Sequence, residues 1–174
     1  VEAGAKTTFR ATGQTGIFIA GGGVPMDSVV ADFASGAAEQ LSPDNEPDHW
    51  DVIEGQGSLF HPGFAAVSLG LLHGSQPDAL VICHEAGRKT INAYPDFPTP
   101  SLSECIDRHL AMARLTNPSV RAAAVSLNTS KLDDAGARAA LAAAVTETGL
   151  LAVDPIRFGA AKLADAVLNT ERGS

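Results

Sequence analysis

Three features of this sequence predict an α/β fold built on a mostly parallel sheet with helices on both faces. Short apolar, β-branched runs alternate with helix-spaced stretches about five times along the chain, the order expected of strand–helix–strand units. Ala79-Leu80-Val81-Ile82-Cys83 is apolar without interruption, as befits a strand covered on both faces. Trp50 to Ile53 runs into Glu54-Gly55-Gln56-Gly57-Ser58 and then into a helix-spaced stretch, the order by which open α/β sheets build sites at the carboxyl ends of their strands.

The elements follow in order. Thr8 to Ala11 reads as a short strand with Thr12 to Gly16 as its exit turn, and Gly21-Gly22-Gly23 breaks the apolar run Ile17 to Ala20. Val29, Val30, Phe33, Ala37 and Leu41 form a helical stripe, with Asp27 or Ser28 as its N-cap. Ser42 to His49 is a solvated connector leading to the strand Trp50–Ile53. Pro62 is suited to the first turn of the next helix, whose apolar residues recur from Phe64 to Leu72 and which Gly74 stops. After the strand Asp78–His84, the three prolines of Tyr94 to Pro100 predict an irregular loop. Ser101 and Glu104 make a capping box for a helix to about Leu115. Val120 to Leu127 is a strand, Asp133 or Asp134 opens an Ala-rich helix closed by Gly149, and Leu150 to Val153 is the last strand. A C-terminal helix starts at about Ala160.

At 174 residues, 45% hydrophobic and 18% charged, the chain suits one α/β domain over residues 1–174 with a core of its own. A formal net charge of −8 with no basic patch argues against a nucleic-acid partner. No apolar stretch is long enough to span a bilayer. Cys83 and Cys105 both lie in apolar segments, which fits a reduced, cytoplasmic protein, and no leader-like stretch opens the chain. The Asn128-Thr129-Ser130 acceptor pattern is read as accidental. The first residue is Val1 and a strand follows within a few residues, so we expect sequence upstream.

In a parallel sheet every strand exit faces one edge, and most of the unusual polar residues fall at exits. They are Gln14 and Thr15, Glu54 through His61, His84 and Arg88, Asn128, and Asp154 with Arg157. Gly13-Gln14-Thr15-Gly16 and Gly55-Gln56-Gly57-Ser58 offer backbone N–H groups suited to phosphate or carboxylate. His61 and His84 are the two histidines suited to general acid–base work. Glu54 serves as a base, a magnesium ligand or a structural acceptor. Asp154 and Arg157 either clamp a substrate carboxylate or pair with each other, and Arg88 carries the same alternatives. Cys83 is disfavoured as a nucleophile because only His84 beside it would lower its pKa. The histidine spacing gives no helical zinc pair, and no metal site is expected. Gly4-Ala5-Lys6-Thr7-Thr8 lacks the spacing of a phosphate loop, and Lys6 leads into a strand rather than a helix.

Four blocks then carry a resemblance: Ala11 to Ile17 (ATGQTGI), Glu54 to Pro62 (EGQGSLFHP), Leu72 to Asp78 (LHGSQPD) and Asp154 to Gly159 (DPIRFG). In this order they resemble a bacterial and archaeal family associated with D-glutamate N-acetyltransferase activity, over about Phe9 to Leu168. The resemblance implies a P-loop-NTPase-like α/β domain similar to dethiobiotin synthetase. It also implies that a Rossmann-like domain and a phosphate loop, which this sequence lacks, precede it in the longer protein. The Glu54 turn resembles the acidic Gly-rich turn such proteins place near metal and substrate, and Asn128 would contact an adenine.

The resulting expectation is an N-acetyltransferase moving acetyl from acetyl-CoA to the amine of an acidic D-amino acid, D-glutamate first. His61 or Glu54 would be the base, and Gln56, Ser58 and the glycine N–H groups the oxyanion or phosphate donors. Arg88 and Arg157 would hold carboxylate or cofactor phosphate. One alternative is an ATP- and magnesium-dependent ligase or kinase-like enzyme with Glu54 on the metal. The other is a nucleotide- or CoA-binding module without chemistry. The expected partners are small molecules and further copies of the chain.

Overall fold

The computed structural model describes residues 3–169 and shows an α/β chain whose parallel strands are joined through helices. Val1, Glu2 and residues 170–174 lie outside the described residues. Two compact units are formed: one by residues up to Pro77 together with Leu115–Asn117, the other by Asp78–Arg114 and the chain from Pro118.

In the first unit, β1 (Lys6–Arg10) pairs in parallel with β2 (His49–Ile53), Lys6 opposite His49 and Arg10 opposite Ile53. The pair is tied along its length, since Arg10 Nε donates to Asp51 Oδ1 at 2.6 Å and Thr8 Oγ1 lies 3.0 Å from His49 Nε2. The expected exit turn after β1 is instead a short helix, α1 (Gln14–Ala20), entered at Gly13 and ended by left-handed Gly21. The single helix expected over Val29–Leu41 is also corrected. Two 3-10 turns, Met26–Ser28 and Ala31–Phe33, precede α2 (Ala34–Glu39), and neither Asp27 nor Ser28 caps it.

α3 runs over Ala65–Ser75 and ends at Gln76, which takes the left-handed conformation at φ 44°. Gly74, expected as its stop, lies inside it. There α2 approaches so closely that a Cβ on Gly74 would overlap the Ser35 carbonyl, and one on Gly70 would sit 2.9 Å from the Ala34 methyl. Glycines at i and i+4 thus make the flat strip on which α2 lies. Met26, Ala38, Leu41 and Leu71 form the core there, with Ile53 and Val67 packed against it. Gly74→Ala is expected to cost roughly 1–3 kcal/mol through overpacking, read as a lower urea midpoint.

In the second unit, β3 (Ala79–Glu85), β6 (Arg121–Asn128) and β7 (Leu151–Val153) form a parallel sheet in the order β3-β6-β7. Ala124 and Val125 of the central strand are fully buried, but Val81 and Cys83 of β3 are exposed, so β3 is not covered on both faces as its apolar run predicts. β4 (Thr90–Ile91) and β5 (Tyr94–Pro98) make an antiparallel hairpin. The loop expected over Tyr94–Pro100 therefore begins as a strand. Prolines are tolerated on such an edge, where an N–H can point away from its partner.

α4 (Leu102–Ala113) begins as expected, with Glu104 N donating to Ser101 Oγ at 3.1 Å. α5 (Asp134–Thr148) is capped by Asp133, which accepts from Gly136 N, and closed by left-handed Gly149. Ser103 N and Oγ donate to Glu147 Oε1 and O, joining α4 to α5. α6 (Pro155–Phe158) and α7 (Ala161–Leu168) complete the unit.

Candidate functional site

Glu54 is the first residue beyond β2, and its own N–H donates to Arg10 O, continuing the ladder. That fixes where its side chain leaves the sheet. Its Oε2 accepts from Thr12 N at 2.9 Å and from Gly13 N at 3.0 Å, while Thr12 Oγ1 donates to the Glu54 carbonyl at 2.8 Å. Thr12 is fully buried, and its carbonyl accepts from Met26 N, so its polar groups are all matched. The carboxylate lies where a Cβ on Gly16 would be, and the Gln56 amide where a Cβ on Gly13 would be. The glycines of Gly13-Gln14-Thr15-Gly16 therefore serve close approach by the Glu54 turn. Gln14 and Thr15 are exposed on the first turn of α1.

Beyond Glu54 the chain folds onto α3. Gly55 is exposed, and Gly57 takes φ +58° with Phe64 and Ser68 crowding the space a side chain would need. Ser68 Oγ donates to Gln56 O at 2.6 Å, and Ser58 Oγ accepts from Phe60 N. His61 N donates to Ser58 O, and Pro62 sits in the turn ahead of α3 rather than in its first helical position. The His61 ring packs on Phe64 with centroids 4.5 Å apart, and its Nδ1 accepts from Gly63 N at 3.0 Å. With Nδ1 an acceptor, the neutral ring carries its proton on Nε2 and is a donor there. The structure thus brings Gly13, Gly16, Glu54, Gln56, Ser58 and His61 into one connected loop system.

The second unit holds the remaining candidates. Asp154, just beyond β7, is buried at 4% exposure. Its Oδ2 accepts from Thr129 N and Oγ1, and its Oδ1 from Ile156 N and Arg157 N at 3.0 Å each. The Thr129 hydroxyl above all, then the backbone N–H groups of Thr129, Arg157 and Ile156, hold its pKa down at about 2 against the desolvation that would raise it. Asp154 and Arg157 do not pair with each other. The Arg157 guanidinium reaches Asp134, the Thr129 carbonyl and, at 2.8 Å, the Leu132 carbonyl. Asn128 Oδ1 accepts from Ser130 N, and its carbonyl accepts from Ala86 N.

His84 is half-buried on β3, and burial first, then the Arg88 charge, lower its pKa, so it is neutral near pH 7. Arg88 and Lys131 both reach Glu85, whose carboxyl is held low by Lys131 first and Arg88 second. Desolvation by its neighbours raises the Cys83 thiol although the residue keeps contact with solvent, which disfavours a thiolate there.

Thr12, Thr129, Glu85 and Lys131 escaped the sequence reading. The two threonines share a signal: each follows a parallel strand and ties to an acid one residue beyond the neighbouring strand, Glu54 or Asp154. Among the described residues no helix is long and apolar enough to cross a membrane.

Parallel strands joined through helices, with threonine–carboxylate ties and a Gly-rich acidic turn at their exits, define an α/β architecture. The chain belongs to the family described as Domain of unknown function (DUF1611_C) P-loop domain, matched over residues 1–164. It is 51% identical over 164 residues to a D-glutamate N-acetyltransferase of Tritonibacter scottomollicae, covering 94% of this chain and 49% of that protein. It is 53% identical over 151 residues to a protein of the same name from a Pseudoalteromonas species, covering 87% and 46% respectively. The chain thus spans about half the length of these curated relatives. A crystal structure of a DUF1611 family protein from Anabaena variabilis superposes with a TM-score of 0.90 at 41% identity, over 96% of this chain and 49% of that one.

Proposed function

We propose that this chain is part of an N-acetyltransferase that moves acetyl from acetyl-CoA to the amine of an acidic D-amino acid, D-glutamate first. The observation that carries this reading is the 51–53% identity, over most of the chain, to two proteins bearing that name. The Glu54 loop supplies groups of the right chemistry. Acyl transfer needs a carboxylate or imidazole to take the ammonium proton and donors for the tetrahedral oxyanion. Oε2 of Glu54 is committed to two backbone N–H groups, and Oε1 accepts no such bond, so Oε1 meets the substrate ammonium and takes its proton. His61, protonated on Nε2, and the Gln56 amide donate to the oxyanion, while Ser58 shapes the turn that holds His61. The amine nitrogen bonds to the acetyl carbon, the carbon–sulfur bond breaks, and the second proton lost by the nitrogen goes to the departing sulfur, so CoA leaves as its thiol.

The test is mass spectrometry of the full-length protein with acetyl-CoA and D-glutamate, L-glutamate or D-aspartate, with and without ATP and magnesium. N-acetyl-D-glutamate formed without ATP is expected. ADP or AMP formation with no acetylated product would overturn the transferase reading in favour of an ATP-dependent ligase. Acetylation of L-glutamate in preference would overturn the stereochemical part.

A further inference from the structure

An open pocket of about 460 Å3 lies beside the β4–β5 hairpin, wholly within the second unit, lined by Glu85, Arg88, Asn92, Ala93, Tyr94 and Lys131 among others. Its volume is in the range of small-ligand and cofactor sites. Two cations meet there on one carboxylate: Lys131 Nζ and Arg88 both bond to Glu85, Lys131 from a side chain that is otherwise 74% exposed. The trio carries a net positive charge in a chain whose formal charge is −8. Solvent-exposed ion pairs contribute little to stability, so an incoming anion can take either cation from Glu85 at small cost.

The rest of the lining fits the same ligand. Tyr94 presents an aromatic ring at the rim, with Phe97 packed edge-on against it at 5.8 Å. Ala93, at the tip of the hairpin, is held at φ +64°, a left-handed conformation that alanine adopts at a cost. The pairing of Ile91 with Tyr94 keeps it there, and such strain persists where the surroundings over-determine it, ligand clamps included. Glycine at position 93 would relax the turn and free the Tyr94 ring.

From the two cations, the aromatic rim and the strained hairpin, we infer that this pocket binds a phosphorylated nucleoside, with Arg88 and Lys131 on a phosphate dianion and Tyr94 against the base. Arg88 supplies a planar fork that fits two phosphate oxygens, and Lys131 a mobile point charge on a third. Glu85 is the resident counter-ion that keeps the two cations together when the ligand is absent. A dianion is preferred to a single carboxylate because two cations converge, and the volume leaves room for a base and sugar. The inference stands without the transferase reading.

Isothermal titration calorimetry on the full-length protein tests it, with adenosine 3′,5′-bisphosphate, ADP, adenosine and inorganic phosphate as probes. We expect a bisphosphate or diphosphate to bind, adenosine to bind at least tenfold more weakly, and Arg88→Met and Lys131→Met each to weaken the phosphorylated ligand about tenfold while leaving adenosine unchanged. Preference for the 3′,5′-bisphosphate over ADP marks the pocket as the seat of a CoA-like ligand, and the reverse order as that of a free nucleotide. Ala93→Gly, which removes no charge, is expected to weaken the bisphosphate and adenosine alike. Absence of binding by every phosphorylated probe, or binding unaltered in both cation variants, would overturn the inference. Acetyl transfer measured on the same samples reads the transferase proposal separately.

Discussion

Asp154→Ala is expected to destabilise the second unit by roughly 1–3 kcal/mol, because it leaves the buried Thr129 donors without an acceptor. The carboxylate accepts from Thr129 N, Thr129 Oγ1, Ile156 N and Arg157 N, tying the exit of β6 to the first turn of α6. The hydroxyl can rotate elsewhere, but the buried Thr129 N–H cannot. The same bonds give a pH signature. The folded pKa, about 2, lies below the ordinary 3.8, so the charged form is favoured in the folded state. A depressed carboxyl contributes stability that is present in full above the unfolded pKa and lost as pH falls through the folded one. Urea midpoints should therefore show the wild type's advantage over Asp154→Asn constant above about pH 5 and shrinking between pH 4 and pH 2. An advantage that stayed constant to pH 2 would contradict this assignment.

Glu54 is expected to separate catalysis from architecture. Glu54→Gln keeps a carbonyl oxygen for the Thr12 and Gly13 N–H groups but cannot take a proton, so kcat should fall by roughly 100-fold with stability near wild type. Glu54→Ala loses those bonds as well, and should also cost roughly 1–3 kcal/mol in unfolding measurements. Gly16→Ala offers a check that retains the Glu54 carboxyl group itself: its methyl would displace the carboxylate, and a 100-fold loss of kcat/KM from misplacement is of the expected order. Full kcat in Glu54→Gln would reduce Glu54 to a positioning residue.

Legibility in the sequence followed how local each signal was. The strands at Trp50–Ile53, Asp78–His84 and Val120–Leu127 read correctly to within a residue because each is a short apolar run bounded by turn residues, although β2 and β3 are less buried than such a run suggests. The caps at Ser101, Asp133 and Gly149 read correctly because they depend on neighbours three or four residues away. The errors came from contacts distant in sequence. Gly16 reads as a turn residue, yet it lies inside α1, and it is glycine because Glu54, 38 positions later, fills the space a side chain would need. Gly74 looked like a stop and is a crossing point for α2. The prolines of Tyr94–Pro98 masked a strand that only its edge position permits.

The site divides along the same line. Glu54, Gln56, Ser58 and His61 stood out because four polar residues interrupt a Gly-rich turn at a strand exit. Thr12 and Thr129 gave only a weak signal, a hydroxyl just after a strand, and acquire meaning once the paired acid is known. Arg157 looked like a ligand clamp, but Asp134 and two carbonyls engage it, and no sequence pattern links it to Leu132. Lys131 went unremarked because its partner Glu85 lies on another strand exit.

If the loop from Glu54 to His61 carries the acyl transfer we propose, steady-state kinetics of His61→Ala in the full-length protein will show it. The Gly63 N–H on Nδ1 fixes His61 as an Nε2 donor, so its loss removes a bond made chiefly to the developing oxyanion. We expect kcat for acetyl transfer to fall by roughly 100-fold with KM for acetyl-CoA little changed. Wild-type kcat in His61→Ala would contradict it and move the chemistry away from this loop.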